Sequence, residues 1–327
     1  MFPTTPAGSG HDPWPDGEQA GRGPVVRDPD DAEELGAPLP DEPLEDVPPV
    51  PVRRLLSLAI AGFAGLLTVG LIFGAQTAGP GAARIPYAIV IFGVQLLYIL
   101  AWTMATRPPA LPAVAGVGVL VAAAADIAAV APEVASLAPL GYVAAAGFLA
   151  AVLAQLLRRV DRARVTDSLG TTLMIVVGVV AFATLIVLTR LPAGTQAITV
   201  CLAATGVSLV VARLADTVAP WPRLAPQVPR GAIGVVVGAM AGTLASGVLG
   251  IFIVVFTPAS GALVGLVAAG AAALADLGAD YAEASRQMAG ETPTMGVARH
   301  LQGPLGGFAL AAPVAYGMSV LFLVPNG

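Results

Sequence analysis

Three carboxylic acids lie within or at the ends of strongly apolar stretches, where ionisable groups are costly and therefore mark candidate functional positions. Asp126 follows an alanine run in the third stretch, Asp216 ends the sixth and Asp276 ends the eighth. We expect Asp126 to reach the membrane interface. Asp216 and Asp276 are predicted to lie at one face as two halves of one site. Because hard cations prefer carboxylate oxygens, that site is a candidate for Mg²⁺.

Arginine supplies all the positive charge, since the sixteen basic residues include no lysine. A guanidinium group binds phosphate through two parallel hydrogen bonds. The candidates for binding the phosphate of an anionic phospholipid are the four arginines that follow Asp216 in the sequence: Arg223, Arg230, Arg286 and Arg299.

Nine apolar stretches, each close to the ~20 residues that cross a bilayer as a helix, must position these side chains. They cover residues 55–75, 86–104, 111–131, 137–157, 169–189, 195–215, 232–256, 260–277 and 303–324. Twelve arginines fall at one set of alternate loops and helix ends, whereas only Arg84 and Arg190 fall at the other. Positive residues favour the cytoplasmic side. The pattern predicts an all-α, multi-pass protein of the cell membrane, with its N-terminus inside and its C-terminus outside.

The overall composition supports this class. Hydrophobic residues make up 56% of the chain and charged residues 11%, and the mean hydropathy is +0.82. Little polar sequence remains for a large soluble domain. Cys201 is the single cysteine, and His11 and His300 are the two histidines, which argues against a disulfide framework, a histidine-rich metal site and a Ser-His-Asp triad.

Residues 1–52 differ from the rest of the sequence. They are rich in Pro, Gly, Asp and Glu, and the first 46 residues hold twelve of the twenty-one acidic side chains. Such a segment lacks the apolar residues that a core requires. We predict a disordered acidic cytoplasmic tail, serving to solubilise or to dock a basic partner, followed by a membrane domain over residues 53–327. Nucleic-acid binding is not expected, because the tail would repel phosphates and no basic face is present.

Glycines recur at four-residue spacing in the seventh stretch, at Gly234, Gly238 and Gly242, and the eighth stretch carries Gly261 and Gly265. Small residues on one face allow helix backbones to approach closely. These two helices are predicted to pack in the bundle interior or to form the seam of a homodimer.

The order of motifs over residues 210–325 resembles that of bacterial phosphatidate cytidylyltransferases (CDP-diacylglycerol synthases). The similar segments are Ala215-Asp216-Thr217, Leu224-Ala225-Pro226-Gln227-Val228-Pro229, Gly231-Ala232-Ile233-Gly234, Asp276-Leu277, and Ala311-Ala312-Pro313-Val314, which is taken to open the last helix. The resemblance implies a helical membrane fold whose site faces the cytosol.

Other elements of that family are replaced in this chain. Its Lys-Arg pair aligns with Glu283-Ala284, its Lys-Asp pair with Ala289-Gly290, its His-Gly-Gly with Ala298-Arg299-His300, and its Asp-Arg-x-Asp with Gly303-Pro304-Leu305-Gly306. Cytidylyl transfer requires metals held by carboxylates and cations that neutralise the developing charge. We therefore predict a non-catalytic protein that keeps the fold and binds an anionic lipid or a partner protein. The alternatives are an active phosphatidate cytidylyltransferase, which makes CDP-diacylglycerol from CTP and phosphatidate, and a small-solute transporter.

Overall fold

The computed structural model describes residues 50–157, 165–290 and 297–323, and these residues form nine long α-helices. The helices are α1 (Arg54–Gln76), α2 (Ile85–Thr106), α3 (Leu111–Val130), α4 (Ala138–Leu156), α5 (Val165–Leu188), α6 (Gly194–Val218), α7 (Ala232–Phe252), α8 (Pro258–Met288) and α9 (Ala298–Leu323). All nine are long and apolar enough to cross a membrane. A helix suits that environment because it satisfies its own backbone hydrogen bonds. The prediction of an all-α, multi-pass membrane protein is confirmed. Of the predicted tail, only residues 50–52 lie within the described ranges.

The last two helices extend beyond their apolar stretches. Helix α8 continues to Met288, eleven residues past the predicted end, and α9 begins at Ala298 rather than at residue 303. The extra turns are polar, and an ion pair between Glu283 and Arg299 joins them. The prediction that Pro313 opens the last helix is wrong, because Pro313 lies inside α9.

The helices pack as two groups that meet at α9. In one group α6 contacts α7, α8 and α9, α8 also contacts α7 and α9, and α1 lies against α6. In the other group α3 contacts α2, α4 and α5, and both α2 and α5 contact α9. The second half of α5, from residue 181 to residue 188, is buried throughout. Large apolar side chains such as Met240 and Leu244 of α7 point outward, as expected for a surface that faces lipid.

The glycine stripe of α7 is the surface on which α6 and α8 pack. A Cβ atom at Gly238 or Gly242 would overlap backbone carbonyl oxygens of α6, and one at Gly265 of α8 would overlap the side chain of Ser246. Of the two predicted roles, close packing inside one chain is the one that the structure shows. A homodimer stays a prediction and would have to use a different face of α7.

Asp126 points into the helix bundle, and the expectation that it reaches the membrane interface stays a prediction. Asp126 is only 7% exposed. Its Oδ1 atom accepts a hydrogen bond of 2.9 Å from Nε2 of Gln95, a fully buried residue of α2. The apolar stretch around Asp126 gave its depth along α3 but not the direction in which its side chain points.

Candidate functional site: a buried ion-pair cluster beside a polar cavity

Five charged residues meet where α6, α8 and the loop before α7 come together, and we call them the ion-pair cluster. Arg213 and Asp216 lie on one face of α6, three residues apart, and Asp276 and Asp280 lie on one face of α8, four residues apart. Both spacings place side chains next to each other on a helix. Arg230 comes from the loop between α6 and α7.

Arg230 joins the three aspartates. Its Nε atom donates to Oδ2 of Asp216 at 2.9 Å, and its Nη1 atom donates to Oδ2 of Asp276 and lies 3.3 Å from Oδ2 of Asp280. The residue is 1% exposed. Burial disfavours the charged form of Arg230, but the charges of Asp276, Asp280 and Asp216 outweigh this effect and raise the pKa of its guanidinium above the ordinary value. Arg230 is therefore a permanent cation inside the protein.

Arg213 completes the cluster from the opposite side of Asp276. Its Nη2 atom donates to Oδ1 of Asp276 and lies 3.3 Å from Oδ2 of Asp280. Among the described residues its buried Nε atom has no hydrogen-bond partner. The remaining oxygen of Asp216, Oδ1, accepts the backbone N–H of Gly231 at 3.0 Å.

The loop between α6 and α7 is shaped to return Arg230 to the helix ends. Arg223 and Gly231 pair as an isolated antiparallel bridge, and the backbone N–H of Ala232 donates to the carbonyl of Pro222 at 2.8 Å. Val228, near the tip, is completely buried. The two ends of the loop are thus held together, so that Arg230 and Gly231 arrive directly at Asp216.

Two glycines leave the space that the carboxylates occupy. A Cβ atom at Gly234 of α7 would overlap Oδ1 of Asp216, and one at Gly303 of α9 would overlap Oδ1 of Asp276. Helices α7 and α9 therefore close the cluster from two further sides, and any larger residue at these positions would displace a paired carboxylate.

A cavity of about 590 Å³ adjoins the cluster. Arg213 and Asp280 belong to both, since they also line the cavity; Arg53, Glu283, Arg299 and His300 are among its other polar lining residues. Glu283 accepts hydrogen bonds from Arg286 at 3.0 Å and from Arg299 at 2.7 Å. The cavity is therefore lined by the guanidinium groups of three arginines, two of which already pair with a carboxylate: Arg213 with Asp276 and Arg299 with Glu283.

The segment before α1 forms one side of this cavity. The backbone N–H of Val50 donates to the carbonyl of Pro226 at 3.0 Å, and Nη1 of Arg223 donates to the carbonyl of Val50 at 2.6 Å. Val50, Pro51 and Val52 line the cavity. Through these contacts the first described residues are fixed to the loop that carries Arg230.

One guanidinium, that of Arg230, bonds both Asp216 and Asp276, so these two carboxylates lie close together in the structure. Of the four candidate arginines, only Arg299 lines the cavity. Arg230 is buried among aspartates, Arg223 bonds the carbonyl of Val50, and Arg286 pairs with Glu283. Arg213 was not predicted as a member of the site, and Asp280 was not among the predicted site residues, although their spacing from Asp216 and Asp276 places them on the same helix faces.

The arrangement does not fit a magnesium ion. Both oxygens of Asp216 and both of Asp276 already accept hydrogen bonds from arginine or from a backbone N–H. Within residues 50–157, 165–290 and 297–323 no group of three or more His, Cys, Asp or Glu side chains is arranged to hold a metal. Guanidinium groups occupy the positions where a cation would stand. The magnesium site stays a prediction without support from this geometry.

The described residues thus define an all-helical, multi-pass membrane protein with an ion-pair cluster buried at one end of its bundle. Comparison of the chain with protein-family models, with curated proteins and with solved structures finds no match.

Proposed function

We propose that this protein binds the phosphate-bearing headgroup of an anionic lipid in the cavity beside the ion-pair cluster, without catalysing a reaction. The observation that carries the proposal is the convergence of Arg53, Arg213 and Arg299 on one cavity at the ends of α1, α6 and α9. Guanidinium groups bind phosphate oxygens in pairs, and several around one cavity favour a dianionic headgroup.

The position of the cavity suits a lipid. Its lining arginines belong to the side that the alternation of arginines predicts to be cytoplasmic, where anionic lipids attract positive residues. Leu56 and Ile60 of α1 also line it, so the cavity has an apolar wall beside its charged one. A headgroup could enter there while its acyl chains stay in the bilayer.

The ion pairs of the cluster favour a protein without catalytic activity. Asp216 and Asp276, the two carboxylates that the family resemblance would assign to metal binding, are neutralised by Arg213 and Arg230. Cytidylyl transfer would need those oxygens free for metals. We therefore propose a diverged, non-catalytic relative of phosphatidate cytidylyltransferases, placed in the cell membrane with the cavity facing the cytosol.

An active phosphatidate cytidylyltransferase is the second candidate. It is favoured by one observation, the convergence of three carboxylates, those of Asp216, Asp276 and Asp280, around a single side chain. In that reading, substrate binding would have to draw the arginines away from the carboxylates and expose a metal site.

Lipid-induced thermal stabilisation of the purified protein tests the first candidate, because a ligand that binds only the native state raises the unfolding temperature. Phosphatidate should stabilise the protein more than phosphatidylcholine does. Arg53→Gln should reduce the difference, whereas Arg54→Gln should preserve it, because Arg54 is also exposed but does not line the cavity. Equal stabilisation by both lipids would overturn the proposal. CTP-dependent formation of CDP-diacylglycerol with Mg²⁺ would select the second candidate instead.

A further inference from the structure

A further buried carboxyl, that of Asp126, lies on a different set of helices from the ion-pair cluster. Asp126 of α3 meets Gln95 of α2, and Nε2 of Gln95 donates both to Oδ1 of Asp126 and to the carbonyl of Val179 in α5, each at 2.9 Å. Gln95 is fully buried and Asp126 is 7% exposed. Three helices therefore enclose this pair.

The partners of Asp126 are neutral. Among the described residues no arginine or histidine forms an ion pair with it, and neither Oδ2 of Asp126 nor Oε1 of Gln95 has a hydrogen-bond partner. A buried carboxylate without a cation is strongly disfavoured, whereas a protonated carboxyl carries no charge and needs only neutral partners. The amide N–H of Gln95 can bond Oδ1 in either form, which leaves Oδ2 as the atom able to hold a proton.

We propose that Asp126 is a proton-binding site, whose Oδ2 atom carries a proton at neutral pH and exchanges it with water when the pH rises. Carboxyls at membrane depth serve as stations in proton relays, and this one has the neutral, amide-bonded surroundings that such a station requires. Gln95 acts as its positioning residue, because both of its amide hydrogens are fixed.

The other ionisable groups around Asp126 lie on the helices packed against α3 and on the loops that follow them. The loop after α5 contributes Arg190, whose Nη1 donates at 2.7 Å to the carbonyl of Ala129, one turn from Asp126 on α3. From α2 comes Tyr98, whose hydroxyl bonds the carbonyl of Met174 at 3.2 Å. The other ionisable groups on these elements include the buried Tyr87 of α2, the exposed Tyr142 of α4, Asp167 at the opposite end of α5, the exposed Glu133 beyond α3, and Arg84, which acts on Arg190. Arg190 bonds main-chain carbonyls and not the carboxyl, so no cation pairs with Asp126 among the described residues.

Infrared difference spectroscopy of the full chain in lipid tests the proposal, because a protonated carboxyl has a C=O stretching band that a carboxylate lacks. The wild-type protein should show this band at neutral pH and Asp126→Asn should lack it, while Glu133→Gln, which alters an exposed acid just beyond α3, should retain it. Raising the pH should abolish the band.

A second variant makes the assignment independent of how well Asp126→Asn folds. Gln95→Leu removes the hydrogen bond to Oδ1 and should shift the same band to higher frequency. Identical spectra for the wild type and both Asp126→Asn and Gln95→Leu would overturn the proposal, because they would show that Asp126 is ionised.

Discussion

Replacing Arg230 with methionine would remove a side chain that bonds three buried aspartates at once. Arg230 is 1% exposed, and Asp216 and Asp276 have side chains that are 1% and 0% exposed. Removing one partner of a buried ion pair leaves an uncompensated charge and costs about 3–5 kcal/mol. Methionine fills much of the same volume, so that the loss reports on charge rather than on a cavity. We expect Arg230→Met to lower the free energy of unfolding by that amount.

The measurement is the unfolding transition of the purified protein in detergent, followed by intrinsic fluorescence. Arg286→Gln is the matched control, because Arg286 pairs with Glu283 where both side chains are partly exposed, at 22% and 17%. Such pairs contribute about 0–1 kcal/mol. Adding Asp216→Asn to Arg230→Met removes one unpaired charge and should recover part of the loss. An Arg230→Met protein within about 0.5 kcal/mol of the wild type, the range of ordinary surface substitutions, would refute the reasoning.

The same variant distinguishes an ion-pair cluster from a metal site. Without Arg230, an oxygen of Asp216 and one of Asp276 lose their partners, and Mg²⁺ could replace the missing cation. By mass action Mg²⁺ should then raise the unfolding temperature of Arg230→Met more than that of the wild type. Strong stabilisation of the wild type by Mg²⁺ would contradict this account and would support the metal site predicted from sequence.

Three further outcomes follow from single positions. Gly303→Ala should destabilise the protein by about 1–3 kcal/mol, since the added methyl overlaps a paired aspartate, whereas Gly317→Ala in the same helix meets open space and should be neutral or stabilising in the same unfolding assay. Thr257→Ala should cost about 1 kcal/mol in that assay because it removes the capping box of α8. In intact cells, a cysteine at the exposed Ala82 should react with an impermeant thiol reagent, and one at the exposed Ala289 should react only after permeabilisation; the opposite result would invert the predicted orientation.

The helices could be predicted from the sequence because a bilayer imposes a length and a polarity on each crossing. The same signal fails where a helix leaves the membrane. The turns of α8 beyond residue 277 are polar, so hydropathy ends the helix there, although Glu283 and Arg299 hold its last turns against α9. The position of Pro313 was also predicted wrongly. Proline often lies at the start of a helix, but Pro313 lies inside α9.

The site could be predicted only in part, because its acids are conspicuous in the sequence and its partners are not. Asp216 and Asp276 stand out at the ends of apolar stretches. Arg230 was expected at a lipid phosphate, and Arg213 reads as one more positive residue of the cytoplasmic side, although its three-residue spacing places it on one helix face with Asp216. The sequence pattern does not distinguish an arginine at a lipid headgroup from one buried against aspartates. That difference depends on the return of the loop before α7, which is a tertiary feature.

Arg213 connects the cluster to the cavity, and this dual position has a thermodynamic consequence. Its Nη2 atom bonds Asp276 inside the bundle, while the residue also lines the cavity with Asp280. With all five groups charged, three carboxylates face two guanidiniums, and Asp280 at 15% exposure is the acid nearest to solvent. An anion bound in the cavity would compete with Asp280 and Asp276 for Arg213. Binding at the cavity and packing of α6 against α8 must therefore be coupled, and by linkage any change that weakens the bond between Arg213 and Asp276 alters affinity for the anion.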